Sequence, residues 1–224
     1  MITSQELKDI VISLGADKCG ISHVDRFIDA PTGFKPNDIW SKARSVVVFL
    51  KRMPLKAIEA ENYAVYSHTA VTLYSVIDRI GLELCSRLQD VKVNAVPVPT
   101  DTPYLFWDEK EKRGMGILSL RHAAKNAGLG ILGRNTLLIN PELGNMVYIG
   151  AVLVDEFFEQ DKLESNTSCP EGCSLCIDTC PVDALNGISV NQKLCRSHSC
   201  FTHPRGWDVY VCNECRKVCP LSGL

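Results

Sequence analysis

The sequence predicts a mixed α/β (α+β) domain over residues 1–160, followed by a small, turn-rich module over residues 161–224. Two observations predict this division. In the first part, short apolar runs alternate with helical segments, whereas nine of the eleven cysteines fall between positions 169 and 219. The polar segment EQDKLESNTS (159–168) separates the two compositions. We interpret this segment as a linker, with a domain boundary near residue 160.

The elements of the first part follow from hydrophobic periodicity and from breaking residues. SVVVFLK (45–51) and KVNAVPV (92–98) are apolar runs typical of buried strands. Residues 59–89 carry apolar side chains at helical spacing and predict one long helix. SLRHAAKNAGLG (119–130) predicts a helix that ends at glycine. Two strands should follow it, TLLIN (136–140) and MVYIGAVLVD (146–155).

Charge and hydropathy exclude some classes of protein. The formal net charge is −2, from 24 Lys+Arg and 26 Asp+Glu, whereas nucleic-acid-binding domains usually show a strong basic excess. The N-terminus lacks the basic region and apolar run of a secretory signal. No stretch approaches the ~18 consecutive apolar residues of a transmembrane helix. We therefore expect a cytoplasmic protein with no membrane partner.

The cysteine skeleton C-x2-C-x3-C-P occurs twice, in CSLCIDTCP (173–181) and in CNECRKVCP (212–220). Disulfides are disfavoured in a reducing compartment, so dense, patterned cysteines there indicate metal or cluster ligation. In bacterial ferredoxins such a run supplies three thiolates to one [4Fe–4S] cluster, and its cysteine before proline ligates the other cluster. The repeat therefore predicts a bacterial ferredoxin-like module with two clusters and a role in electron transfer.

This crossover gives each cluster four thiolates drawn from both runs. We expect cluster one to use Cys169, Cys173, Cys176 and Cys219, and cluster two to use Cys180, Cys195, Cys212 and Cys215. Cys200 is the remaining cysteine of the block and is an alternative to Cys195. Two four-cysteine zinc ribbons are another alternative, although ribbons do not require the cysteine before proline that both runs contain.

GLGILG (128–133) matches the G-x-G-x-x-G pattern of dinucleotide-binding loops. That fingerprint requires a strand before it and a helix after it, whereas here a helical segment precedes it and a strand-like segment follows. We interpret the glycines as a tight turn that lets the backbone approach a neighbouring segment or a flat ligand. Arg134, Asn135 and Thr136 offer polar groups at this turn. A helix end and turn without any ligand is the alternative.

Four segments of the chain form a set: HAAKNAGLGILGRNTLLINPELG (122–144), CSLCIDTCPVDAL (173–185), VNQKLC (190–195) and VCNECRKVCP (211–220). Together they resemble the epoxyqueuosine reductase family, whose members are cobalamin-dependent iron–sulfur proteins related to reductive dehalogenases. Two further segments, ADKCGISHVDRF (16–27) and KARSVVVFLK (42–51), are similar to the early strands of that family. The resemblance therefore covers most of the chain.

The resemblance implies a nitroreductase-like N-terminal sandwich that binds a corrinoid (cobalamin) close to one cluster, without a protein histidine on cobalt. Electrons would pass through both clusters to the corrinoid, so we expect an oxidoreductase with two [4Fe–4S] clusters and cobalamin. A redox partner protein of flavodoxin or ferredoxin type would supply the electrons. By the same resemblance, the residues near the corrinoid are Tyr66, Gly130, Gly133, Arg134, Asn135 and Thr136.

The family also has an aspartate that donates a proton to the reduced substrate, shortly before the helix leading into the glycine turn. Aligned without gaps, this position falls on Gly114; with an insertion, the stretch VPTDTPYL places Asp101 there. A general acid must reach the proton-accepting atom of the substrate, and Asp101 is our candidate for the catalytic residue. A turn residue before Pro103 is its alternative role.

The chain stops five residues after Cys219, whereas the epoxyqueuosine reductases continue well past the last cluster cysteine, often with helical repeats that help to hold tRNA. Together with the weak net charge, this predicts that tRNA is not a partner and that the substrate is a different one. Two other functions stay open. One is an electron-transfer protein of ferredoxin type without a corrinoid, and the other is epoxyqueuosine reduction on tRNA.

Overall fold

The computed structural model describes residues 2–223. The strands are β1 (Lys18–His23), β2 (Ser45–Arg52), β3 (Ala95–Val98), β4 (Phe106–Asp108), β5 (Arg113–Met115), β6 (Ile131–Leu132), β7 (Leu138–Ile139), β8 (Val147–Val154), β9 (Cys200–Thr202) and β10 (Asp208–Tyr210). The helices are α1 (Ser4–Ser13), α2 (Pro36–Ile39), α3 (Lys56–Glu59), α4 (Tyr63–Asp90), α5 (Leu120–Asn126), α6 (Leu175–Asp178), α7 (Gln192–Ser199) and α8 (Glu214–Lys217). Within these residues, no helix combines the length and the apolar character needed to cross a membrane.

The central sheet has the strand order β1-β2-β8-β3, and each neighbouring pair is antiparallel. The inner strands β2 and β8 are buried along nearly their whole length. Successive side chains point to opposite faces of a strand: Val47 and Phe49 pack with α1 and α4, whereas Val46 and Val48 pack with α5. Because helices cover both faces, β2 is a continuous apolar run in the sequence.

The predicted mixed α/β class is confirmed, and the predicted elements differ from the observed ones mainly at their ends. The long helix begins at Tyr63, where the side chain of Asn62 caps it. The strand predicted at 92–98 is confined to Ala95–Val98, because Lys92 has a positive φ and the chain is still turning out of α4 there. Apolar content alone therefore predicted a strand that begins too early, within the turn that follows α4.

The segment predicted as a linker is held against the sheet. Phe158 is buried, and Asp161 N donates a hydrogen bond to Ile21 O at 2.9 Å. The Asp161 carboxylate accepts a hydrogen bond from Ile21 N at 2.8 Å and pairs with Lys8 Nζ at 2.6 Å. Its polar residues thus satisfy backbone groups of the edge strand β1. The domain boundary near residue 160 stays a prediction.

Gly150 in β8 lies where the core has no room for a larger side chain. A Cβ atom there would lie 2.4 Å from Phe49 Cε2 and 2.6 Å from Ile77 Cγ2. We expect Gly150→Ala to lower the free energy of unfolding by about 1–3 kcal/mol through overpacking, as measured by urea denaturation. Gly81→Ala in α4 is the matched control, because its Cβ would meet Phe49 Cζ at an ordinary 3.7 Å. Gly81→Ala should raise the free energy of unfolding slightly. Equal free energies of unfolding for the two variants would contradict the expectation.

Candidate active site

A cavity of about 750 Å³ opens in the α/β part and reaches the cysteine-rich segment, and we call it the central cavity. Its walls are the segment 26–34, the loop after β3, β5, α5 and the first residues of β8, and the cysteine-rich segment adds Gln192 and Arg216. Ligand pockets usually have volumes of roughly 300–1,000 Å³. The central cavity is therefore large enough for a substrate or a sizeable cofactor.

Asp101 lies in the wall of the central cavity, on the loop that follows β3. The Tyr104 hydroxyl donates a hydrogen bond to Asp101 Oδ1 at 3.4 Å. Burial raises the pKa of the Asp101 carboxyl, and the Tyr104 hydrogen bond and the Arg196 charge offset this rise in part. A carboxyl group with a raised pKa keeps its proton to higher pH, which is the property that a general acid needs.

An arginine of the cysteine-rich segment fixes this loop. Arg196 Nη2 donates a hydrogen bond to Tyr104 Oη at 2.9 Å, and its guanidinium carbon lies 5.2 Å from the Tyr104 ring centre and 5.3 Å from that of Trp107. Gln192 exchanges two hydrogen bonds with the backbone of Gly114, at 3.0 and 3.3 Å. Helix α7 therefore holds the β4–β5 hairpin and the adjoining loop against the cysteine-rich segment.

Two partly buried arginines also line the central cavity. Arg216 Nη1 donates a hydrogen bond to Asn145 O, and its guanidinium carbon lies 5.6 Å from the centre of the Tyr148 ring. Arg121 Nη1 donates hydrogen bonds to Thr136 O at 2.5 Å and to Thr136 Oγ1 at 2.8 Å. Because Arg216 belongs to the motif CNECRKVCP, the cavity reaches the second cysteine run.

Four cysteines line a second, small cavity: Cys169, Cys173, Cys176 and Cys219. Cys173 and Cys176 belong to the first run and Cys169 precedes it, whereas Cys219 comes from the second run. Four thiols around one small cavity fit the donor set of a [4Fe–4S] cluster. This is the set expected for cluster one, and its ligand role stays a prediction.

The cysteines expected for cluster two are neighbours as well. Burial raises the pKa of Cys212, and Cys195 and Cys180 are among the groups that raise it further. Burial also raises the pKa of Cys215 to about 11, with Cys195 and Cys212 among the additional causes. Burial raises the pKa of Cys200 as well, and the charged groups that act on it are two aspartates and an arginine. The choice of Cys195 over Cys200 stays a prediction. Within residues 2–223, no three His, Cys, Asp or Glu side chains lie close enough to hold a single metal ion.

The six residues expected near a corrinoid lie outside the described lining of the central cavity, and two of them join the α/β part to the cysteine runs. Arg134 Nη1 donates a hydrogen bond to Cys173 O at 2.5 Å, and Asn135 Nδ2 donates one to Cys215 O at 3.0 Å. One turn of the α/β part thus contacts the backbone of both runs. This contact sets the position of the cysteine block relative to the cavity.

The other four residues shape the same region. A Cβ atom would lie 2.2 Å from Ile139 O at Gly130 and 2.5 Å from Ile139 Cδ1 at Gly133, so both glycines allow the β6–β7 ribbon to pack closely. Thr136 accepts hydrogen bonds from an arginine of the cavity wall, and Tyr66 is buried in α4. A role for these residues in corrinoid binding stays a prediction.

Sequence analysis missed four residues that shape the site: Tyr104, Arg121, Arg196 and Arg216. Two of them carried a usable signal, since Tyr104 lies three residues after Asp101 and Arg216 lies between two expected cluster ligands. Arg121 and Arg196 had no such signal, because their roles depend on how α5 and α7 pack in the folded chain.

The chain is similar to epoxyqueuosine reductases over nearly its whole length. It is 28% identical to that of Staphylococcus aureus over 97% of this chain and 64% of the relative, and 25% identical to that of Leadbetterella byssophila over 99% of this chain and 80% of the relative. The predicted resemblance to the epoxyqueuosine reductase family is confirmed. The chain spans less than two thirds of the length of the S. aureus relative. No protein-family model matches the chain.

Solved structures of two kinds share the fold. An epoxyqueuosine reductase with an epoxyqueuosine-modified tRNA-Tyr stem loop has a TM-score of 0.62 and 21% identity, covering 97% of this chain and 64% of that chain. A reductive dehalogenase whose structure suggests a mechanism for B12-dependent dehalogenation has a TM-score of 0.69 and 18% identity, covering 96% of this chain and 31% of that chain. The α/β fold of this chain is thus the one found in both kinds of reductase.

The expectation that tRNA is not a partner is wrong, because an epoxyqueuosine reductase of this fold has been solved with a tRNA stem loop. The physical reason for the error is that net charge is a sum over the whole chain, and a sum of −2 conceals segments of one sign. Residues 184–207 contain no Asp or Glu, and their basic residues are Lys193, Arg196 and Arg205. A local basic surface can attract RNA when the total charge does not.

Proposed function

We propose that this chain carries out the epoxyqueuosine reductase reaction, and that an epoxide-bearing base of a tRNA is reduced in the central cavity. The observation that carries the proposal is that this cavity of the α/β part reaches the second cysteine run, with Asp101 and Arg216 in its wall. Similarity to the S. aureus enzyme over 97% of the chain supports the same reaction. An open cavity also favours an enzyme over an electron carrier without a corrinoid, which has no need of one.

The proposed architecture is a nitroreductase-like domain over residues 1–160 and a ferredoxin-like module over residues 161–224. Each cysteine run supplies ligands to both clusters, as the crossover predicts. The position of Cys219 beside Cys173 and Cys176 of the first run supports this arrangement. A flavodoxin- or ferredoxin-type protein would supply the electrons.

Cobalamin would occupy the central cavity, whose wall reaches the second cysteine run. The clusters would supply single electrons there, and the corrinoid would supply a strongly reducing centre. Arg134 and Asn135 would serve this site by holding the cysteine runs in place through their backbone carbonyl groups.

Asp101 is the proposed proton donor. Reducing an epoxide to an alkene takes two electrons, which the clusters would supply, and two protons, and the oxygen leaves as water. Opening the ring leaves negative charge on this oxygen, and a proton from a nearby carboxyl group neutralises it, while solvent supplies the second proton. Burial raises the pKa of Asp101, and the hydroxyl of Tyr104 orients the carboxyl group. Arg121 and Arg216 bring positive charge to the same cavity, which stabilises the oxygen anion as it forms.

Expression of the chain in a bacterial strain that accumulates epoxyqueuosine in its tRNA tests the proposal. We expect queuosine to replace epoxyqueuosine in digested tRNA, as measured by mass spectrometry. The full-length S. aureus relative is the positive control, since the chain spans 64% of its length. Folded protein that contains iron and sulfide, and that leaves epoxyqueuosine unchanged when supplied with cobalamin and a reductant, would overturn the proposal.

A further inference from the structure

The chain between Cys195 and Cys212 forms a hairpin that the proposed chemistry does not use. Its strands are β9 and β10, and its tip is the sequence HPRGW at 203–207. The His203 ring is stacked on the Trp207 ring with the centres 4.5 Å apart and the planes 4° from parallel. The guanidinium carbon of Arg205 lies 5.5 Å from the Trp207 ring centre. The tip is thus a stack of two flat rings and a cation.

This stack faces solvent. Trp207 is 49% exposed and Phe201, in β9, is 43% exposed, although tryptophan and phenylalanine side chains are usually well covered in a folded chain. The tip has one arginine, Arg205, and no acidic residue, and Asp208 follows it directly. An exposed aromatic ring with an arginine beside it combines the two features with which proteins bind single-stranded nucleic acid.

The base of the hairpin lies beside the central cavity. Tyr210 N donates a hydrogen bond to Ser67 Oγ at 3.1 Å, and the Tyr210 ring packs against Tyr74, with the centres 6.4 Å apart. Tyr74 lines the cavity. Asp208, which opens β10, is among the charges that act on Asp101. The base of the hairpin therefore contacts a residue of the cavity wall.

We infer that the tip of this hairpin, residues 203–207, is a stacking platform for unpaired bases of an RNA loop whose neighbouring base enters the central cavity. The inference rests on the proposed function, since it takes tRNA as the substrate. Single-stranded RNA is bound by stacking its bases on aromatic rings and on arginine guanidinium planes, and the tip offers both. Arg205 also brings positive charge toward the phosphates that flank the stacked bases.

The test is the affinity of the cluster-loaded 224-residue chain for a fluorescently labelled tRNA anticodon stem loop, measured by anisotropy. We expect Trp207→Ala to weaken binding by about tenfold, the effect of losing one stacked base, and Trp207→Phe to keep most of the affinity. RNA should quench the tryptophan fluorescence of the wild type but not that of Trp207→Phe, which retains Trp40 and Trp107. Arg205→Gln should lower the salt dependence of binding by about one counterion.

Phe157→Ala is the matched control. Phe157 is 60% exposed and has the same kinds of neighbours as Trp207, with the His23 ring 5.4 Å away and the Arg44 guanidinium carbon 5.0 Å away. It follows the far end of β8, whereas the first residues of that strand line the central cavity. Phe157→Ala should bind RNA like the wild type, and thermal melting should show that each variant is folded.

The outcomes separate the platform from the proposed function. RNA binding by the wild type that is equal in Trp207→Ala would overturn the platform and leave the proposed function standing. Failure of the wild type to bind RNA would overturn both. If Trp207→Ala slowed reduction by a donor protein while its RNA affinity was unchanged, the hairpin would be a protein-docking site and the inference would be wrong.

Discussion

Replacing Asp101 by asparagine is expected to lower the rate of epoxyqueuosine reduction by roughly 10²- to 10⁴-fold, the usual contribution of a positioned general acid. The amide keeps the size and the hydrogen-bond acceptor of the carboxyl group but has no acidic proton to give. Single-turnover reduction of epoxyqueuosine in a tRNA stem loop measures the effect. Asp78→Asn is the matched control. The Asp78 carboxylate accepts a hydrogen bond from Thr100 N, one residue before Asp101, at 3.0 Å, but Asp78 lies outside the described lining of the central cavity.

The pH dependence follows from the direction of the Asp101 shift. Burial raises the pKa of this carboxyl, and a proton donor is active only while it holds its proton. The wild-type rate should therefore fall as pH rises through the raised pKa, and the residual rate of Asp101→Asn should lack that step. A full rate in Asp101→Asn, or an unchanged pH profile, would remove Asp101 from the chemistry.

Stability separates this effect from unfolding. A carboxyl group whose pKa is raised in the folded state stabilises the fold below its unfolded pKa, about 3.9, and loses that contribution as pH rises through the folded pKa. At neutral pH the ionised Asp101 is therefore the less favourable form. Asp101→Asn should melt at the same temperature as the wild type or higher, so a large loss of activity cannot come from lost structure.

Replacing Cys219 by serine is expected to remove the cluster held mainly by the other cysteine run. Cys219 shares a small cavity with Cys169, Cys173 and Cys176, so its loss should leave roughly four of about eight iron atoms per chain. The remaining cluster should be the one expected at Cys212 and Cys215. Iron and sulfide analysis, with electron paramagnetic resonance of the reduced protein, measures the loss.

Cys200→Ser is the control for this experiment. Cys200 lies in β9 opposite Tyr210, and its charged neighbours are not cysteines, so the variant should keep both clusters. Cys195→Ser, by contrast, should lose the second cluster. If Cys219→Ser lost the cluster of its own run, or if Cys200→Ser lost iron where Cys195→Ser did not, the crossover assignment would be wrong.

The spacing of the cysteines let the sequence predict the redox module, because the ligands of a cluster must recur at short, fixed intervals. The apolar runs likewise predicted the inner strand β2, since helices cover both faces of the sheet. Asp101 was one of two positions at which alignment placed the family's proton donor, and Gly114 was the other. The structure places both positions in the cavity wall, and only Asp101 has a carboxyl group to offer there.

The sequence by itself determined the mixed α/β class, the family resemblance and the candidate cluster ligands, because periodicity and ligand spacing are local properties of a chain. Only the tertiary structure decided what surrounds them. Arg216 lies 71 residues from Asn145, to which it donates, and Arg196 lies 92 residues from Tyr104. Contacts at such separations depend on how the two parts of the chain pack together, and no local pattern records them.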